Sequence, residues 1–400
     1  MAVNDFIPQD AYTLINAIAK QATGRENLTA TDTSSFVSVG ETLLRTGVEN
    51  TLKALSTVFA YTYFSNEKYT GKLAAIEQTS GQWGAITREI TALTQDAEPS
   101  QDWNTDVNPN QLDDGNSVDM YKINKPKVIE LKFYGTNVLQ RHITRFRDQI
   151  AQAFSSEAEF MRFYEDVMIE FRNDIETDRE SGRRATMLNY MAGLSSMGEA
   201  VDLTAEFNTK NGTTYTRNQL LTTYKKDFMA FVIARIKLDS EKLTERSAKY
   251  HANITGYNPI MRFTRKENQR LLMFSEFWID STTQILPWVF DDEELKIENK
   301  ELVNWWQSAD DPSAIQITPS ILDVSTGHAK QAESEVNLPY VLGVLYDRRA
   351  MGVQYQFNYA DTTPFNSAGG YWNMYVHSRK NYWNNYTHNG ILYVMGEGGK

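Results

Sequence analysis

Apolar residues recur at steps of three and four through Phe160, Phe163, Val167, Phe171 and Ile175, while Glu165, Glu170, Arg172 and Glu176 take the opposite face. That period draws one apolar stripe along a helix. Ser156 and Glu159 stand ahead of it at capping-box spacing. The pattern predicts a helix from Ser156 to Leu194, weakened at Gly182 and stopped by Gly193. At about 1.5 Å per residue this is a rod of roughly 55 Å, which needs a sheet or a partner to bury its stripe. A second helix is predicted from Asn218 to Tyr250, with Leu221, Tyr224, Phe228, Phe231, Val232, Ala234 and Leu238 mostly on one side.

Elsewhere the period drops to two. Ile86, Arg88, Ile90 and Ala92 alternate as in a half-exposed strand, and KPKVIELKFYG resumes strand-like composition further on. Between them lies AEPSQDWNTDVNPNQLDDGNS, with Pro99, Pro109 and the turn dipeptide Asp114-Gly115. Two strands bracketing roughly 30 polar residues form a long excursion, and such loops are usually functional or intermolecular. Downstream, RLLMFSEFW (Arg270 to Trp278), LPWVF (Leu286 to Phe290), ELVNWW (Glu301 to Trp306) and LPYVLGVLYDRRAMGVQ read as strands. Residues 1–60 hold only short apolar patches, Ala11 to Ala19 and Thr42 to Tyr63, with no period long enough to build a core.

The last stretch, YWNMYVHSRKNYWNNYTHNGILYVM, sets Trp372, Met374 and Val376 on one face and Tyr371, Asn373, Tyr375 and His377 on the other. Asn389-Gly390 supplies a hairpin-type turn before Ile391 to Met395. This predicts a twisted strand pair on the long helix, with Trp372 against Phe163, Val167 and Phe171. The tyrosine face is left for a neighbouring subunit.

Composition narrows the function. Hydrophobic residues make up 41%, charged ones 23% and aromatics 12%, so the chain is globular. A formal net charge of −11 disfavours broad binding to phosphate backbones. With no cysteine, disulfides, zinc–thiolate sites and thiol nucleophiles are excluded. MAVNDFIPQDAY lacks a signal-peptide layout, and no apolar run approaches the roughly 20 residues that span a bilayer. The expectation is a soluble protein of a cytoplasm-like compartment.

Catalytic motifs are sparse. There is no GxxxxGK[ST], no GxGxxG after a strand, and GLSSMG is not the spacing of a nucleophile elbow. The five histidines form no HExxH; His377 and His388 could meet across a hairpin, but no carboxylate lies between them. Asp113, Asp114, Asn116 and Asp119 have calcium-like offsets without the glycine and glutamate of an EF-hand, so they read as a hairpin tip. Neither a cofactor nor a metal is expected, and no enzymatic activity. Two alternatives stay open. The acidic run Asp291 to Glu294, with the tryptophan-rich strands, suggests a carbohydrate-binding protein or glycosidase. Arg262, Arg265, Lys266 and Arg270 beside Phe263 suggest a nucleic-acid face, against the blander reading of a surface or subunit salt bridges.

The order of parts resembles the tailed-phage major capsid proteins of the Hong Kong 97-like fold. The residues that carry the likeness run from Leu338 to Met395: an apolar strand ends in a turn with Asp347, Arg348, Ala350 and Gly352, and aromatic strands close on ILYVM. TRKENQRLLMFSEFW is similar to the strand that precedes the core of the family's central lobe. The resemblance implies an α+β chain: an N-terminal arm and lead-in (1–77), an extended two-stranded loop over a neighbour (78–133), a peripheral domain on the spine helix (134–199), a mixed α/β axial domain (200–349) and a return to the peripheral β-sheet (350–400). It further implies self-assembly into hexameric and pentameric capsomers of an icosahedral-type shell around double-stranded DNA. Portal and scaffolding proteins would be partners, with DNA held non-specifically on the inner face. The chain would be assembled in the host cytoplasm and reside in the virion capsid. Expected assembly contacts are Trp83, Ile86, Arg88, Ile90, Trp103, Tyr121, Lys125, Tyr371 and Tyr375.

Overall fold

The computed structural model describes residues 11–23, 28–46, 72–78, 87–95, 116–125, 127–133, 136–146, 157–281 and 300–399. In chain order the elements are α1 (Ala11–Thr23), α2 (Thr33–Thr46), β1 (Thr87–Ala92), β2 (Val128–Phe133), β3 (Thr136–Phe146), α3 (Glu157–Ser196), β4 (Ala200–Asp202), α4 (Leu203–Asn211), α5 (Arg217–Leu221), α6 (Lys225–Lys242) and β5 (Gln269–Phe274). Then follow β6 (Lys300–Val303), β7 (Ile315–Ile317), β8 (Ser320–Leu322), β9 (Ala329–Gln331), β10 (Val336–Leu338), β11 (Val341–Asp347), β12 (Met351–Thr362), β13 (Tyr371–Asn384) and β14 (Gly390–Val394). The chain divides into two compact units, one from Met1–Ala85, Tyr134–Thr186 and Gly352–Trp383, the other from Ile86–Phe133, Met187–Met351 and Asn384–Lys400.

The first unit holds a three-stranded sheet in the order β12-β13-β3. β13 and β3 pair antiparallel over eleven residues without a bulge, from Tyr371↔Phe146 to Asn381↔Thr136. Charge ties this sheet to α3: Arg141 of β3 donates to Asp178 at 2.9 Å and Asp174 at 2.8 Å, and the Lys380 ammonium donates to the Asp178 carbonyl at 2.9 Å. Trp372 is buried and its ring packs on Phe365 at 4.4 Å, but the expected alternation does not extend past it: Met374 and Val376 are half-buried, as are Tyr371, Asn373, Tyr375 and His377. The side chains of Phe163, Val167 and Phe171, the expected seat for Trp372, lie outside the described residues.

Residues 11–46 correct the expectation of a segment without its own core. α1 buries Ile15, Ile18 and Ala19, and α2 buries Phe36, Val39 and Leu43. Each set repeats at three and four, but over three turns only, which is too short a run to stand out in the sequence. Asn16 joins the helices by exchanging two hydrogen bonds with the backbone of Ala30, at 2.6 and 3.1 Å.

In the second unit the core is a five-stranded mixed sheet, ordered β4-β14-β11-β5-β6. Its central strand β11, VLGVLYD, is buried at every position, as a strand covered on both faces must be. At its end Asp347 is buried and accepts from the Arg349 backbone and guanidinium and from the Thr264 hydroxyl, while Ala350 N–H closes the turn on the Asp347 carbonyl. The Asp-Arg turn singled out in the sequence is therefore a hydrogen-bonded corner.

Three sequence expectations need correction. The second helix is not continuous: α5 ends at Leu221, Thr222 and Thr223 form a turn, and α6 runs from Lys225 to Lys242. The β-branched pair explains the break, with the Thr222 hydroxyl turned back to the Asn218 carbonyl at 2.7 Å. Leu238, assigned to its apolar side, is exposed. RLLMFSEFW is strand only to Phe274 and helical at 275–281.

The hairpin at Asn389-Gly390 is also not formed. β13 belongs to the three-stranded sheet and β14 to the five-stranded one, where it pairs with β11 and β4. Residues 385–389 are instead a buried connection whose polar groups are bonded to the second unit. The Asn389 side chain meets His251 Nδ1 at 2.9 Å and donates to the Thr264 hydroxyl at 3.2 Å. Tyr386 O–H reaches the carbonyls of Asn189 and Ser320 at 3.0 and 2.9 Å.

Gly193 does not stop α3, which continues to Ser196. It seats the Tyr386 ring: a Cβ at this position would lie 2.1 Å from the Tyr386 hydroxyl oxygen. Gly193→Ala is therefore expected to cost about 1–3 kcal/mol through overpacking, read as a lower urea midpoint. Because alanine has the better helix propensity, a Gly193→Ala midpoint equal to or above that of wild type would contradict this role.

Candidate assembly surface

β1 and β2 form an antiparallel ribbon, registered from Thr87↔Phe133 to Ala92↔Val128. Alternation divides its residues into two sides. Arg88, Ile90, Ala92, Val128, Glu130 and Lys132 are exposed, and Glu89, Thr91, Leu93, Ile129, Leu131 and Phe133 are partly or fully covered. The outward side is unusual in carrying large apolar groups: Ile90 is 67% exposed, and ahead of β2 Met120, Tyr121 and Ile123 are 81%, 81% and 80% exposed. Arg88 on this side pairs with Glu130 at 3.5 Å, and Lys125 is exposed. Scattered apolar residues on a surface are ordinary, but several on one segment mark an interaction site.

Glu89, on the covered side, lies midway along β1 and ties the ribbon to the second unit. Its carboxylate accepts from His388 Nε2 at 2.9 and 3.0 Å, from Arg262 Nη2 at 2.9 Å and from Asn385 Nδ2. A carboxylate can only accept, so Nε2 carries the imidazole proton. Burial pushes the Glu89 carboxyl up, but the hydrogen bond and charge of His388, and then Arg262, outweigh it and bring the group down to about 2. A second tether lies farther along, where Asn258 Nδ2 donates to the Thr94 carbonyl at 2.8 Å and Thr94 O–H donates to that of Pro259 at 3.2 Å.

In the first unit the other expected contacts gather on one face of the three-stranded sheet. Tyr371 packs edge-on to Phe146 at 6.1 Å and Tyr375 stacks on His142 at 5.5 Å, each ring meeting its cross-strand partner. Phe146 is exposed, and both tyrosines are partly so. Of the expected contacts, then, Arg88, Ile90, Tyr121 and Lys125 fall on the ribbon segment and Tyr371 and Tyr375 on this aromatic face. Trp83, Ile86 and Trp103 lie outside the described residues. Sequence reasoning missed Glu89, His388 and Asn385; an acidic residue facing a covered strand side was the available signal.

The alternative readings find little to stand on. Trp278, Trp306, Trp372 and Trp383 are buried, which removes them as sugar-stacking platforms. Asp291 to Glu294 lie outside the described residues. The four cations near Phe263 have partners within the chain: Arg262 with Glu89, Arg265 with Glu267, Lys266 with Glu241, and Arg270 with the carbonyls of Glu267 and Gln269. His377 is on β13 and His388 is bound to Glu89, and among the described residues no cluster of three metal-ligating side chains occurs. No described helix is long and apolar enough to cross a membrane.

A family model described as Phi29-like phage major capsid protein matches residues 15–394. The chain belongs to that family. As a Phi29-like major capsid protein it is a structural component that forms the shell of a phage and resides in the virion capsid. Two solved structures share its architecture at 12% identity. One is the capsid structure of Staphylococcus phage Andhra, with a TM-score of 0.50 over 82% of this chain and 87% of that one. The other is the structure of head fiber and inner core protein gp22 of native bacteriophage P68, at 0.52 over 80% and 83%. The fold of this Phi29-like capsid protein is α+β of the Hong Kong 97-like type, and it self-assembles into capsomers. Among curated proteins none matches significantly.

Proposed function

We propose that this major capsid protein builds hexameric and pentameric capsomers of an icosahedral-type shell, and that residues 78–133 lie over a neighbouring subunit. The observation that carries this reading is the set of exposed apolar side chains on the ribbon segment, Ile90, Met120, Tyr121 and Ile123. Exposing them costs free energy in an isolated chain, and a neighbour that covers them recovers it. Lys125 and Arg88 add charge that suits an acidic neighbour, since the whole chain carries −11. The aromatic face with Tyr371 and Tyr375 is the second contact. In this reading residues 134–199 and 350–400 serve as the peripheral domain, 200–349 as the axial domain and 1–77 as arm and lead-in. The shell encloses double-stranded DNA on its inner face, with portal and scaffolding proteins as partners during assembly in the host cytoplasm.

Spreading contacts over extended segments keeps each one reversible while closure of the shell stabilises the whole. Tyr121→Ser combined with Ile123→Ser is expected to leave the circular dichroism spectrum and melting of the subunit unchanged. It should cut the yield of shells seen by electron microscopy and sedimentation by roughly tenfold or more, the scale of two lost interface anchors. Normal shells from this variant would refute the reading.

A further inference from the structure

We propose that Glu89 is a positioning residue for assembly: its carboxylate fixes how the β1–β2 ribbon is seated on the second unit, and Arg262 with residues 385–389 is the socket. This rests on the reading of the ribbon as an assembly element. A two-stranded ribbon is marginal by itself, so its orientation is set by whatever grips its covered side. Here the grip is a single carboxylate with donors from two separate stretches of chain, His388 and Asn385 on one and Arg262 on the other.

Each donor is itself held in place. Asn385 Oδ1 accepts from Thr387 N–H at 3.1 Å and Thr387 O–H at 2.7 Å, which turns its amide N–H groups toward Glu89. Arg262 donates from Nε to the Thr387 carbonyl at 3.1 Å and from Nη2 to Thr91 Oγ1 at 3.0 Å. Its backbone pairs in both directions with Ser247 at 2.9 Å. His388 is buried. Bonds to an ionised acceptor are shorter and about twice as strong as neutral ones, so this node outweighs the neutral bonds at Thr94. The socket is also selective for an anion. A glutamine of the same size would turn an N–H2 group toward donors that need an acceptor, so shape alone does not satisfy it.

Hydrogen exchange on the unassembled full chain tests this, alongside particle morphology. In Glu89→Gln, amides of Thr87–Ala92 and Val128–Phe133 are expected to exchange roughly tenfold faster or more, while those of β5 and β11 stay within about twofold of wild type. Shells should then be irregular or absent. Asn385→Ala, which removes one donor and no charge, should show the same pattern more weakly. Unchanged ribbon exchange in both variants overturns the inference; so does equal loosening of β5 and β11, which would make the node a folding centre. The Tyr121→Ser, Ile123→Ser variant separates this from the reading beneath it. If that variant assembles normally, the ribbon is not an assembly element. If it fails to assemble while Glu89→Gln exchanges like wild type, only the role of Glu89 is lost.

Discussion

Replacing Arg183 by alanine is expected to destabilise the first unit by about 3–5 kcal/mol, the scale for breaking a buried ion pair from one side. The Arg183 side chain is only 2% exposed. Its guanidinium reaches Glu77 through Nε at 2.8 Å and through Nη2, Glu176 at 3.1 Å and the Lys72 carbonyl at 3.2 Å. Beside it, the Arg179 guanidinium lies over the Tyr355 ring at 4.5 Å. Burial by itself would lower the Arg183 pKa, yet Glu77 and Glu176 raise it, so the guanidinium is charged between the two carboxylates. Alanine would remove the buried cation that both carboxylates face, Glu176 from a largely buried position and Glu77 from a half-buried one. Lysine keeps the charge but loses the planar fork that spans two carboxylates and a carbonyl, so Arg183→Lys should fall between the two. Arg183→Ala combined with Glu77→Gln should recover part of the loss. A urea midpoint shifted by less than the equivalent of about 1 kcal/mol in Arg183→Ala would contradict this account.

What the sequence revealed and what it hid divide along physical lines. The long helix, the two ribbon strands and the buried β11 were legible because each has a sustained period or an unbroken apolar run. α1 and α2 were hidden because three turns hold too few repeats. The hairpin expected at Asn389-Gly390 failed for a different reason. A local turn signal was overridden by tertiary bonds that hold Asn389 to His251 and Thr264 and carry β14 into another sheet. Gly193 shows the same limit: helix-stopping propensity was readable, but the Tyr386 ring that needs the space is 193 positions along the chain. The exposed side chains of Ile90 and Tyr121 could be nominated as candidate contacts from strand alternation and loop composition. For Glu89 the one signal was an acid on a covered strand side, and its importance lies in three donors between 173 and 299 residues away in sequence.

Acid should loosen the ribbon's hold on the second unit through Glu89 in a defined window. The carboxyl has a folded value of about 2 against an ordinary 4.5. A depressed carboxylate contributes stability that is fully present above its unfolded pKa and is lost as pH falls toward the folded one. The window is therefore from about pH 4.5 down to about pH 2. A shift of that size corresponds to at most about 3 kcal/mol, and partial exposure of the side chain reduces it to roughly 2 kcal/mol. Glu89→Gln has no such titration. The gap in ribbon protection between wild type and Glu89→Gln, read by hydrogen exchange of Thr87–Ala92 and Val128–Phe133 at matched pH, should be constant from about pH 7 to pH 5 and then shrink by that amount toward pH 2.5. Other carboxylates titrate in the same range, but they are common to both proteins and cancel in the difference. A gap that stays constant down to about pH 2.5 would mean that His388 and Arg262 do not hold Glu89 ionised, and the anchoring of the ribbon would have to be assigned to the bonds at Thr94 instead.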